Sequence, residues 1–135
     1  MSVTIENLVK TFGLQNAVNN ISFTAKKGEI TGFLGPNGAG KSTTMKIITC
    51  YSPPCSGKVT VCGLDISSDS TIEIRKKIGY LPEHNPLYLD MYVHEYLEMA
   101  AKLHDVNNVK ARIKEMITLC GLSKEQNKKI GELSK

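Results

Sequence analysis

Apolar residues recur along this chain in two ways, as short runs and alternations first and as helical stripes later. Val3-Thr4-Ile5-Glu6-Asn7-Leu8-Val9 alternates roughly apolar with polar and predicts a strand, because successive strand side chains point to opposite faces. Ala17 to Thr24, with Val18, Ile21 and Phe23, predicts a second. Gly28 supplies a turn, and Ile30-Thr31-Gly32-Phe33-Leu34 is the short apolar run expected of a buried parallel strand. Pro53 to Gly57 reads as a loop, Lys58 to Cys62 as a strand ended by Gly63, and Thr71 to Lys77 as a short helix. Ile78 to Leu81 reads as a further strand, stopped by Pro82.

After Pro86 the period lengthens to that of a helix. Val93, Tyr96, Leu97, Ala100 and Ala101 fall on one stripe, and Val109, Ile113, Met116, Ile117 and Cys120 on a second. Asn108 stands where an N-cap is expected and Gly121 where a helix stops. The methionines and aromatics of these stripes read as packing residues. The chain thus divides into a β-rich region, 1–83, and a helical region, 84–135, with no repeat and no low-complexity segment.

The length of 135 residues suits one domain, and 41% apolar with 22% charged residues is the balance of a globular chain. No run approaches the roughly 18 apolar residues of a membrane span, and the N-terminus lacks the regions of a secretory signal. An intracellular protein is expected. The net charge of +4 comes without any block of five like charges, so no nucleic-acid partner is expected. Lys26-Lys27, Arg75-Lys76-Lys77 and Lys128-Lys129 read as solvated faces. Cys50, Cys55, Cys62 and Cys120 lack the C-x-x-C pairing of a zinc site and read as free, partly buried thiols. His84, His94 and His104, ten residues apart, read as surface residues.

One segment carries chemistry outright. Gly35-Pro36-Asn37-Gly38-Ala39-Gly40-Lys41-Ser42-Thr43 spells G-x-x-x-x-G-K-S, the loop whose backbone amides wrap around the phosphates of a nucleotide. Glycines omit side chains, so the backbone can adopt positive φ and converge its N–H groups on one anion. Lys41 brings a mobile positive charge to the outer phosphates, and Ser42 offers Mg²⁺ a hard oxygen. The apolar run before the loop and the Gly- and Pro-free stretch from Lys41 to Cys50 after it supply the strand–loop–helix setting the motif needs. A nucleoside-triphosphate site with Mg²⁺ is the expectation.

Gly32 to Met45 closely resembles the phosphate loop of the ABC-type ATPases, the nucleotide-binding subunits of ATP-driven transporters, in their exporter-type branch. The likeness extends over nearly all of the chain and includes Ile78-Gly79-Tyr80-Leu81-Pro82-Glu83. Residues 84–88 and the later helices are similar to the ATPase subunits associated with bacterial gliding motility. The resemblance implies an α/β fold of the P-loop type, with a β-rich nucleotide-binding core and the start of a helical subdomain. It places Phe12 where a ring stacks on adenine, and Glu83 where a side chain touches Mg²⁺ or the attacking water. It makes Leu133-Ser134-Lys135 the opening of the signature Leu-Ser-Gly-Gly-Gln, with lysine for the first glycine, so that Ser134 would cover ATP held by a second copy. It implies a homodimer or heterodimer, membrane permease subunits as partners, and a peripheral position on the cytoplasmic face of the membrane.

The family's acidic strand, general-base glutamate and switch histidine lie beyond its signature. The expectation is therefore a truncated chain, about half a domain, that holds no catalytic residue for turnover and leaves strand edges unpaired. A soluble ABC-type protein acting on DNA or ribosomes, a non-catalytic nucleotide-binding module, and a generic P-loop kinase are the competing readings.

Overall fold

Strand β1 (Val3–Phe12) runs through the middle of an antiparallel sheet ordered β2-β1-β3-β4. It pairs with β2 (Gln15–Ala25) on one side and β3 (Ser56–Val61) on the other, and the two-residue β4 (Leu64–Asp65) closes the far edge. The computed structural model describes residues 2–133, which fall into two compact units, one ending at Leu81 and one starting at Pro82.

In the first unit the alternation of β1 slips once. Val3, Ile5 and Leu8 are buried, which a strict period of two would not allow. Asn7, with φ 50°, is the extra residue of a bulge, and the register with β2 shifts between Ile5 and Leu8. The Asn7 amide donates to Ser22 Oγ at 2.8 Å, and that hydroxyl donates to Asn7 Oδ1 at 3.2 Å. On the other side lies Gly57, φ 91°, where a Cβ would come within 2.4 Å of the Asn7 carbonyl oxygen. Asn20, φ 51°, lies on β2 between buried Val18 and inward-packing Ile21.

Helix α1 (Lys41–Ile48) buries Thr44, Ile47 and Ile48, and α2 (Thr71–Lys77) buries Ile74. With Val3, Ile5, Leu8, Val18, Val59, Val61 and Ile66 they form the core, each fully buried aliphatic side chain stabilising by about 1.5–3 kcal/mol. Glu73 in the first turn of α2 and Arg75, Lys76 and Lys77 in its last turn complement the helix dipole. Arg75 Nη2 also donates to the Cys50 carbonyl at 2.5 Å, tying α2 to the end of α1.

Two expected strands do not form. Residues 30–34 are irregular, with Ile30 and Leu34 fully exposed, and 78–81 are irregular with Tyr80 and Leu81 exposed. A strand exists only through a partner's row of N–H and C=O groups. Among the described residues every ladder is antiparallel and made by β1 to β4. Within these runs Phe33 packs its ring 5.2 Å from that of Phe23, and Ile78 packs against the core.

The second unit contains α3 (Val93–Leu103), α4 (Val109–Leu119) and a 3-10 turn at Ile130–Glu132. The chain before α3 meets the chain before the 3-10 turn: Tyr92 bridges to Lys129, the Val93 amide donates to the Lys128 carbonyl at 3.1 Å, and the Ile130 amide to the Met91 carbonyl at 2.9 Å. The stripe from Val93 to Ala101 faces inward, as does the second from Val109 to Ile117. Cys120 is exposed instead, because it is the residue just past the last turn of α4. Asn108 precedes α4, yet its side chain makes no capping bond. Its backbone is left-handed, φ 53°, whereas side-chain capping requires an extended backbone at that position.

Helices α1, α3 and α4 end alike. Cys50, Asp105 and Gly121 each take a left-handed φ of 58°, 50° and 68°. The next amide then closes a wide turn: Tyr51 to the Lys46 carbonyl at 2.8 Å, Val106 to Ala101 at 3.0 Å and Leu122 to Ile117 at 2.9 Å.

Candidate phosphate-binding site

Gly40 is the residue on which the loop turns into α1. It caps the helix in the left-handed region, φ 82°, and a Cβ there would lie 2.1 Å from the Ala17 carbonyl oxygen and 3.1 Å from Val18 Cγ2. The end of the loop is therefore seated directly on β2, which only glycine permits. Gly38 also has positive φ, 83°, and the Ala39 amide donates to the Pro36 carbonyl at 3.2 Å to form the preceding turn. Thr44 locks the junction from inside: its amide and its buried hydroxyl both donate to the Gly40 carbonyl, at 2.8 and 2.9 Å.

The consequence is a cluster of free donors. Among the described residues no backbone carbonyl accepts a hydrogen bond from the amides of Gly38, Gly40, Lys41, Ser42 or Thr43. These groups sit at the positive end of the α1 dipole. Lys41 folds over them, its ammonium donating to the carbonyls of Gly35 at 2.5 Å and Pro36 at 2.6 Å. Amides, one ammonium and the exposed Ser42 hydroxyl form a donor set that fits a polyphosphate. No group of three His, Cys, Asp or Glu among the described residues could hold a metal by itself. Mg²⁺ fits here only as a partner of phosphate oxygens, with Ser42 supplying one protein oxygen.

Phe12 ends β1, next to the turn at Gly13, and pairs with Gln15. The residue is 56% exposed, so it is not a core residue, and Lys10 Nζ stands 5.3 Å from the ring centroid. β2 leads from that turn to Ala17, the seat of Gly40, so Phe12 and the loop share one unit and one strand connection. Glu83 belongs to the second unit, exposed in a bend after Pro82. Ser134 lies outside the described residues. The parts that sequence reading missed are Ala17, which acts through a backbone carbonyl and leaves no signal in residue type, and Thr44, whose hydroxyl points inward.

The histidines are exposed, as the sequence suggested, and the four cysteines are free, but only Cys50 and Cys62 are half-buried. Cys55 is exposed, and hydrogen bonding with the hydroxyl and amide of Thr11 lowers its pKa from the usual thiol value, with a smaller contribution from Lys10. Burial pushes the Cys50 thiol up, partly offset by Arg75.

A sheet with a flanking helix whose N-terminus offers free amides, a lysine and a serine defines a P-loop nucleotide-binding protein. Residues 18–135 match the ABC transporter family, and the chain belongs to it, with the fold of an ATP-binding domain. It is 39% identical over 131 residues to the linearmycin resistance ATP-binding protein LnrL of Bacillus subtilis, covering 96% of this chain and 42% of that protein. It is 33% identical to the Nod factor export ATP-binding protein I of Burkholderia lata, covering 98% of this chain and 44% of that one. The structure resembles that of the ATP-binding cassette MJ0796, solved as a dimer in a post-hydrolysis state with ADP and phosphate: TM-score 0.82, 26% identity, 98% of this chain and 63% of that one. The chain thus spans less than half the length of these two curated relatives.

Proposed function

We propose that this protein is the ATP-binding subunit of an ABC exporter, coupling binding and hydrolysis of Mg·ATP to transport by membrane permease subunits. The observation that carries the reading is the cluster of free amides around Lys41 at the start of α1, in a chain of this family. Gly35 to Thr43 hold the phosphates, Phe12 stacks on the adenine, and Ser42 takes the Mg²⁺. Ser134 opens the segment that covers the ATP of a second copy, so the working unit is a dimer of nucleotide-binding domains. The name of one curated relative, the Nod factor export ATP-binding protein I, supports the outward direction. A subunit of this kind sits peripherally on the cytoplasmic face of the membrane. No helix among the described residues is long and apolar enough to cross one.

Lys41→Ala removes the one mobile charge of the loop. Since a hydrogen bond to a charged group is worth about 1.5–3 kcal/mol, calorimetric titration with Mg·ATP should show affinity falling about tenfold to a hundredfold. Unchanged affinity would refute the site. Recovery of an integral membrane protein on purification from membranes supports the exporter, whereas recovery of nucleic acid favours the soluble alternative.

A further inference from the structure

We propose that Lys10 is a positioning residue for Phe12, holding its ring for the nucleotide base, and that its charge acts through the ring and not on the phosphates. The inference rests on the reading of Phe12 as the base-stacking residue. Lys10 Nζ stands over the ring at 5.3 Å from its centroid, inside the range of roughly 6 Å in which a cation is attracted to an aromatic face. The ammonium is held there, because it also donates to the Pro53 carbonyl at 2.7 Å. Pro53 lies in the loop joining α1 to β3, and the same loop grips the end of β1 twice more. The Cys55 amide donates to the Val9 carbonyl at 2.9 Å, and the Thr11 hydroxyl and amide meet Cys55 Sγ at 3.4 and 3.5 Å. The strand end that carries Phe12 is therefore fixed to the segment that leaves the phosphate-binding helix. The ammonium stands over one face of the ring and Phe12 as a residue is 56% exposed, so the opposite face is assigned to a planar base.

The test compares Mg·ATP with Mg·tripolyphosphate, which has the phosphates and no base, in titrations of Lys10→Met, Lys10→Arg, Phe12→Ala and the Lys10→Met/Phe12→Ala double variant. Lys10→Met should weaken Mg·ATP about twofold to fivefold, the size of an exposed cation–π contact, and leave tripolyphosphate unchanged. Lys10→Arg, which keeps the charge, should restore ATP affinity. Once Phe12 is alanine, Lys10→Met should have no further effect. Equal losses for both ligands, failure of arginine to restore, or a persisting effect without Phe12 would each overturn the proposal. If Phe12→Ala weakens ATP but Lys10→Met does not, the role of Lys10 alone falls. If Phe12→Ala itself leaves ATP affinity unchanged, the stacking reading falls and the role of Lys10 with it.

Discussion

A methyl group at position 40 has nowhere to go, because the Ala17 carbonyl oxygen would lie 2.1 Å from it. At position 38 the same left-handed backbone occurs with nothing within 4 Å of the added carbon. The two glycines therefore separate two causes that act together in the loop. Gly38→Ala should cost only the left-handed strain, about 1–2 kcal/mol, in urea unfolding. Gly40→Ala adds a backbone clash that β2 must relieve, so the loss should exceed that of Gly38→Ala, and nucleotide binding should fail. Equal losses would mean that Gly40 is not seated on β2. Cys55 offers a second test at this scale. It is exposed, and its hydrogen bonds to Thr11 favour the thiolate, so at neutral pH more of it is nucleophilic than of an ordinary cysteine. Iodoacetamide labelling mapped by mass spectrometry should modify Cys55 before Cys50, and its rate should reach half its plateau at a lower pH than that of an unstructured cysteine. Thr11→Val, which removes the hydroxyl and keeps the amide, should slow it at neutral pH, and an unaltered rate would mean that the hydroxyl bond does not act.

At the scale of elements, the helices were legible because their stripes report which face is buried, and two of their ends show what was not. Gly121 announces the end of α4, while Cys50 and Asp105 make the same left-handed turn without glycine. Only the closing hydrogen bonds of the folded chain identify them. Gly121→Ala should cost about 1–2 kcal/mol in urea unfolding. Asp105→Gly, which relieves strain but loosens the unfolded chain, should fall between neutral and about 1 kcal/mol stabilising. A destabilisation by Asp105→Gly would contradict the assigned turn. Strand β1 teaches a related lesson. Its pattern predicts a strand, but the switch of phase at Asn7 needs Ser22 and Gly57, which come from two other strands.

For the whole molecule, the apolar runs 30–34 and 78–81 take no strand partner among the described residues. Phe33 lies with Val3, Phe23, Met45 and Ile48 along a mostly apolar cleft of about 310 Å³, while Ile30 and Leu34 stand exposed beside it. Such runs have strand composition without strand partners, and the curated relatives are more than twice as long as this chain. Hydrogen exchange should therefore be fast at the amides of 30–34 and 78–81 in the 135-residue chain, and slow in a protein of the relatives' length. Fast exchange in both would show that these segments are true loops.

By itself the sequence determined the chemistry and the local elements. A phosphate loop needs glycine, lysine and serine at set spacing, and an amphipathic helix writes its buried face every third or fourth residue. Both are properties of neighbouring residues. Tertiary structure alone decided which apolar runs became strands, because a strand is completed by hydrogen bonds from a distant segment. It also decided why Gly40 admits no side chain, since the obstacle is the backbone of β2, and a carbonyl oxygen is the same in every residue.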